Sequence, residues 1–386
     1  MKTTTRNSML ALVGLASLAI YVLACTSFSP DGTQILYPSY DPAVTNFSVA
    51  IYDLNARQSE TLFTFSRPES KPTMIRAQWL PDGKAAALLF WPDSDSESLA
   101  VILPLSGNRQ PTRFFVLPRG GKSDSEAAMV LPLPVTDQYL FEMGDPLVRL
   151  NWKTGEIKTN HFDPSPRLLS QGKAIFYLTE QTGTNTSCEF GRLDPETMTL
   201  NPLFKVNPLS GNAKQDLGIF LAVDSSAQRV AVMDKVNDQF NLLICSKQGL
   251  DKKIALGSEG EFGTPGNLVW APDGRRVYAA YHRVKGESAQ YGLAEIPLDG
   301  SAVRLVPILD LPAKAMKSRD VTESIFYFQI AVSPNGRKAA VASTYLTDFI
   351  EDAQLRQEAC GLYLVDLSHA ARKITRVPVP VPVFSH

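Results

Sequence analysis

The chain has 386 residues, of which 44% are hydrophobic and 20% charged, so it is a globular chain long enough for a large core. The 38 Lys and Arg balance 39 Asp and Glu to a net charge of −1, which excludes the basic footprint of a nucleic-acid binder. Gly (24) and Pro (27) are spread along the chain rather than gathered in a linker, as many short strands and turns require.

The first element is apolar. Lys2 and Arg6 precede a run from Met9 to Ala24, the order of a secretory signal. Its end, Val22-Leu23-Ala24-Cys25, resembles a bacterial lipobox, with Leu23 in place of the usual small residue. That resemblance implies lipidation of Cys25, and Thr26 after it implies sorting to an outer membrane. Two alternatives stand beside it: cleavage after Ala24 without a lipid, and an uncleaved N-terminal helix near the short limit for a span. Segment 1–24 is therefore expected to be a signal peptide or membrane anchor, and residues 25–386 the folded body outside the cytoplasm.

A turn phrase then recurs. Ser29-Pro30-Asp31-Gly32, Leu80-Pro81-Asp82-Gly83, Ala271-Pro272-Asp273-Gly274 and Ser333-Pro334-Asn335-Gly336 each precede an apolar run. Pro presets φ, Asp or Asn tolerates the bridge or left-handed region, and Gly supplies positive φ. Weaker copies lie at Val135-Thr136-Asp137, Leu169-Ser170-Gln171-Gly172 and Asp224-Ser225-Ser226-Ala227. A period of roughly 40–50 residues with four strands per unit is that of a propeller blade. The reading is all-β: a single β-propeller of about seven four-stranded blades at 26–66, 76–118, 127–163, 166–206, 218–257, 266–310 and 327–378. Second strands such as Val277 to Tyr281 are continuously apolar, as for strands buried between blades, and third strands are expected to alternate more, nearer the rim.

The units resemble the WD40-like repeats of the TolB-type propeller, whose hallmark is Ser-Pro-Asp-Gly before a β-run. The resemblance covers nearly all of the chain after Cys25. TolB carries an α/β domain ahead of its propeller. With the first turn at residue 29, no such domain is expected here, so the resemblance is to the repeat class and not to TolB itself.

Function is expected on one face, where the longer connections gather: Pro38 to Phe47, Pro92 to Glu97, Asn207 to Gly218, His282 to Gln290, Asp310 to Tyr327 and Thr344 to Ala359. Asp93, Asp95 and Glu97, then Arg283 and Lys285, then Lys314, Lys317 and Arg319, give it mixed charge. In the last of these loops a short helix is expected, capped by Asp348 with Glu351 completing the box. No catalytic, cofactor-binding or metal-binding set is expected. Asp93-x-Asp95-x-Glu97 lacks the ligands and Gly of a calcium loop, and His161, His282, His369 and His386 lack paired spacing. Cys188, Cys245 and Cys360 read as small buried hydrophobes. Asn46 and Asn185 open glycosylation triplets. The tail Val377-Pro378-Val379-Pro380-Val381-Pro382 either closes the ring on the first blade or extends freely. The function implied is a non-catalytic envelope propeller binding a protein, peptide or glycan. The alternative is a propeller hydrolase or lyase with its site at the central channel.

Overall fold

The computed structural model describes residues 26–378 except 42–45, 67–74, 81, 91–97, 106–112, 118–128, 133–137, 143–146, 163–165, 172–173, 182–186, 207–220, 259, 316–327, 344–345, 347–349 and 351. These form seven four-stranded antiparallel sheets, each built from consecutive strands. Blade 1 holds β1 (Ser27–Phe28), β2 (Gln34–Asp41), β3 (Asn46–Asp53) and β4 (Gln58–Ser66). Blade 2 holds β5 (Ile75–Trp79), β6 (Ala85–Phe90), β7 (Ser98–Pro104) and β8 (Arg113–Leu117). Blade 3 holds β9 (Met129–Pro132), β10 (Gln138–Glu142), β11 (Leu147–Asn151) and β12 (Ile157–Asn160). Blade 4 holds β13 (Arg167–Gln171), β14 (Ala174–Gln181), β15 (Ser187–Asp194) and β16 (Thr199–Val206). Blade 5 holds β17 (Leu221–Val223), β18 (Arg229–Val236), β19 (Gln239–Ser246) and β20 (Gly249–Ser258). Blade 6 holds β21 (Thr264–Trp270), β22 (Arg276–Lys285), β23 (Ser288–Pro297) and β24 (Arg304–Pro312). Blade 7 holds β25 (Gln329–Val332), β26 (Lys338–Ala342), β27 (Leu362–Asp366) and β28 (Ile374–Arg376), with helix α1 (Ala353–Ala359) between β26 and β27. The first strands of successive blades touch one another in a closed circle, so they line the axis. The chain is a seven-bladed β-propeller.

The core explains the apolar runs. Buried side chains fall into seven clusters, one between each pair of neighbouring blades. Side chains alternate across a strand, so Val277, Ala279 and Tyr281 of β22 pack toward blade 5 while Tyr278 and Ala280 pack toward blade 7. A strand between two blades has no solvent face and must be apolar throughout. Each fully buried Val, Leu or Ile contributes about 1.5–3 kcal/mol.

The expectation for the third strands is corrected by the same geometry. In β19 every residue after Gln239 is buried, and β23 is nearly as closed, because third strands also lie between blades. Solvent reaches the fourth strands instead. β16 and β20 are mostly exposed, and β20 carries Asp251, Lys252 and Lys253, charges that discourage pairing at an open edge.

Among the described residues the ring closes without strand exchange between the termini. β1 is a two-residue strand, and β28 completes blade 7 from its own sequence. The seam is packed by Ile35, Tyr37, Ala50 and Tyr52 of blade 1 against Ala340, Leu362 and Val377 of blade 7. Ser59 Oγ donates to the Pro378 carbonyl at 3.3 Å. The tail thus starts on blade 1, and residues 379–386 lie outside the described residues. So do Met9 to Ala24 and Cys25, and no helix among the described residues is long and apolar enough to cross a membrane.

Candidate functional site

Chain direction gives the propeller two faces. Turns from first to second strand, and from third to fourth, share one of them. There the repeated phrase folds as its chemistry dictates. Gly32, Gly83, Gly274 and Gly336 have φ between 66° and 73°, and each donates its N–H to the carbonyl three residues back. Ser29 Oγ donates to Asp31, and Asp31, Asp82, Asp273 and Asn335 each accept the N–H two residues on. The Ser29 hydroxyl, first among the causes, holds the Asp31 carboxyl below its ordinary range. The turns also bind the rest of the blade. The N–H groups of Leu54, Leu105, Leu298 and Leu367 reach the carbonyls of Thr33, Lys84, Arg275 and Arg337.

The opposite face carries the longer connections, and there blade 6 presents an extended ladder. The segment from His282 to Gln290, expected as a loop, is a continuation of the sheet. β22 and β23 stay paired out to Lys285 opposite Ser288, and Gly286-Glu287 make the turn. A two-residue turn with Gly between alternating residues was the signal for a hairpin. Straightening the ladder aligns side chains along one side of it. Arg283 Nε and Nη2 donate to Gln290 Oε1 at 3.0 and 2.9 Å, and Nη1 donates to the Glu261 carbonyl at 3.2 Å. Gln290 Nε2 donates to Asp310 Oδ2 at 3.2 Å, and Ser288 Oγ donates to Asp310 Oδ1. Beneath this array the Arg283 guanidinium lies 5.9 Å from the ring centre of Tyr281. Burial pushes the Tyr281 hydroxyl up to about 12, so it stays protonated. At the tip Val284, Lys285 and Glu287 are exposed.

The adjoining wall between blades 6 and 7 is aromatic. His282 is buried with its ring 4.6 Å from that of Tyr291, which lies 5.6 Å from Phe328. Leu346, Ile350 and Ala359 complete the packing beneath α1. The helix is capped by Asp352, whose carboxylate accepts the Leu355 N–H at 2.8 Å, and not by Asp348. Asp348 and Glu351 lie outside the described residues. Toward the axis, Asn267 bonds both backbone groups of Ile330: its amide donates to the carbonyl at 3.0 Å and its oxygen accepts the N–H at 3.2 Å. This bond between first strands gave no sign in the sequence, where Asn267 reads as an ordinary strand residue.

The other expected positions scatter. Pro92 to Glu97, Asn207 to Gly218, Lys317, Arg319, Asn185 and His386 lie outside the described residues, and Lys314 is exposed on a single 3-10 turn after β24. His161 and His369 are exposed and distant in sequence from the buried His282. Cys188 and Cys245 are buried at the junction of blades 4 and 5, and Cys360 lies at the end of α1. Among the described residues no group of three His, Cys, Asp or Glu is placed to hold a metal ion.

Comparison with known proteins places the fold. No family model and no curated protein matches the chain. Solved structures do. Hydrazine synthase of Kuenenia stuttgartiensis aligns at a TM-score of 0.51 and 12% identity over 96% of this chain and 99% of that one. A protein of unknown function from Desulfotomaculum acetoxidans aligns at 0.50 and 11% identity over 88% and 94%. TolB of Acinetobacter baumannii aligns at 0.43 and 15% identity over 71% of this chain and 66% of that one. The chain therefore spans just under two thirds of that TolB. Likeness at these identities is likeness of fold, and function rests on the site.

Proposed function

We propose that this chain is a cell-envelope binding or scaffolding propeller that engages a protein, peptide or glycan through the face bearing blade 6's extended ladder. One observation carries the reading. β22 and β23, at ten residues each, outreach the second and third strands of the other blades, and Arg283, Gln290, Ser288 and Asp310 are already bonded in place along them. Side chains ordered before binding lose less entropy on contact, which is what recognition on a rigid scaffold needs. The apolar run before Cys25 supports a place in the envelope, and lipidation at Cys25 is part of the same proposal.

A photo-crosslinking amino acid placed at Lys285 in the full-length chain, in intact cells, tests the surface. Adducts of defined mass are expected from Lys285 and their loss on Arg283→Ala. A probe at Ser301, on the turn face, is expected to give none. Adducts from Ser301 alone would overturn the assignment. Incorporation of labelled palmitate, abolished by Cys25→Ser, tests the lipid, and an unlabelled wild-type chain removes it.

A further inference from the structure

The direction of β1 fixes which way a tethered propeller faces. Ser27 pairs with Leu36 and Phe28 with Ile35, and the chain then turns at Ser29 to Gly32 on the turn face. First strands therefore run from the long-loop face to the turn face. In blade 7 the equivalent strand pairs Gln329 with Ala342 and Val332 with Ala339 before its own turn, so Phe28 corresponds to Val332 and Ser27 to Ala331. Thr26, one step upstream, is buried at 1% exposure. Anything attached ahead of Thr26 approaches blade 1 from the loop side of the axis.

The link has no slack. One residue separates Cys25 from Ser27, and a fully extended chain gains about 3.3–3.6 Å per residue. A first strand such as β5 is five residues long, about 16–17 Å. A tether at Cys25 cannot double back past such a strand to the turn face.

We infer that the loop face lies toward the membrane that holds the chain and the turn face looks away from it. This rests on the tether proposed above and goes beyond it. The blade 6 ladder, with exposed Val284 and Lys285 at its tip, then stands in the layer next to the bilayer. A partner taken by that face is one displayed at the surface of the same membrane, and a partner free in the compartment meets the Pro-Asp-Gly turns.

The test reconstitutes the full-length processed chain into phosphatidylcholine vesicles doped with a headgroup-quencher lipid. A fluorescent amino acid is placed at Lys285 in one sample and at Ser301 in another. Quenching several-fold stronger at Lys285 is expected. Vesicle-bound protein quenched equally at both positions, or more at Ser301, overturns the orientation and leaves the tether standing. Protein that does not float with the vesicles overturns both.

Discussion

From blade 6 through blades 7 and 1 to blade 2, each turn rests on the turn before it. A methyl group built on Gly336 would touch Pro272 at 3.6 Å, one on Gly32 would touch Pro334 at 3.2 Å, and one on Gly83 would touch Pro30 at 3.6 Å. Proline of one blade and glycine of the next form a stepped arc that crosses the seam between the termini. Blade 5 is built otherwise. Its turn, Asp224 to Ala227, has no proline, and Ala227 takes the left-handed conformation at φ 59°. The contact with Gly274 is made by Arg229, whose guanidinium donates to the Gly274 carbonyl at 3.3 Å and stacks 5.1 Å from the Trp270 ring centre. Asp224 holds that arginine at 3.1 Å and accepts the N–H groups of Gln228 and Arg229 at 3.0 Å each. The two arcs make the same turn. One does it with backbone chemistry that forces a consensus, the other with a charge network that tolerates a different sequence.

The comparison breaks most severely where a buried charge crosses blades within the consensus arc. Glu295 of β23 is 4% exposed and accepts from Arg372 of blade 7, at 2.7 Å through Nη2, with Arg276 at 3.9 Å. Arg372 sits at φ 51° and also donates to the Leu367 and His369 carbonyls. Removing one partner of a buried pair costs about 3–5 kcal/mol, whereas replacing both by apolar residues is often neutral. Glu295→Ala is expected to lower the urea midpoint more than any turn substitution, and the Glu295→Met/Arg372→Met double variant to recover most of it. A double variant as unstable as the single would show that the pair does not act as a unit.

Next in size is Asp224→Ala. It strands N–H groups and a guanidinium, and about 1–3 kcal/mol is the cost of each buried group left unsatisfied. Asp224→Asn isolates the charge. Burial pushes the Asp224 carboxyl up, but bonds from Ser226, Arg229 and Gln228 outweigh it, so folding lowers it from the ordinary 3.8. Its stabilisation is complete above that value and is lost as pH falls below it. The wild type is expected to lose part of its stability below pH 3.8, and Asp224→Asn to show a shallower loss over that window in thermal melts. Parallel pH curves would mean the turn is held by geometry alone.

How far the sequence could be read follows from this division. Backbone chemistry leaves local residue signatures, so the four Pro-Asp/Asn-Gly turns and the apolar second strands pointed to the class, and the three weaker copies completed the blade count. Packing between blades is not local. That third strands are closed on both faces depends on what lies beside them, and Gln239 to Ser246 carries no mark of it beyond apolar content. The Asn267 to Ile330 bond joins residues 63 apart, and the Asp224 turn, legible only as a weak copy, hides the contacts of Arg229 with Gly274 and Trp270. At the candidate site, Arg283 and Lys285 were visible as charges. Their alignment with Gln290 and Asp310 was not, because a gap between apolar runs reads as a loop, whereas the ladder continues through it.

Three smaller substitutions sharpen the consensus arc itself. Gly32→Ala places a side chain at φ 73° and against Pro334, which belongs to the other end of the chain. An L-residue in that conformation costs roughly 1–2 kcal/mol. Gly83→Ala meets the same backbone penalty with more room, 3.6 Å from Pro30. The excess loss in Gly32→Ala over Gly83→Ala therefore measures packing at the seam, and equal losses would show that Pro334 yields. Asn335→Asp is smaller still and of opposite sign. Asn335 already accepts Ser333 Oγ at 2.8 Å and the Arg337 N–H at 3.0 Å, the bonds that Asp31 makes in blade 1 as a carboxylate. A charged acceptor strengthens such bonds, so the variant is expected to gain up to about 0.5 kcal/mol at neutral pH, the scale of a benign surface change. The gain should vanish as the new carboxylate protonates in acid. A gain that persists there would place its source in the unfolded chain rather than in the turn.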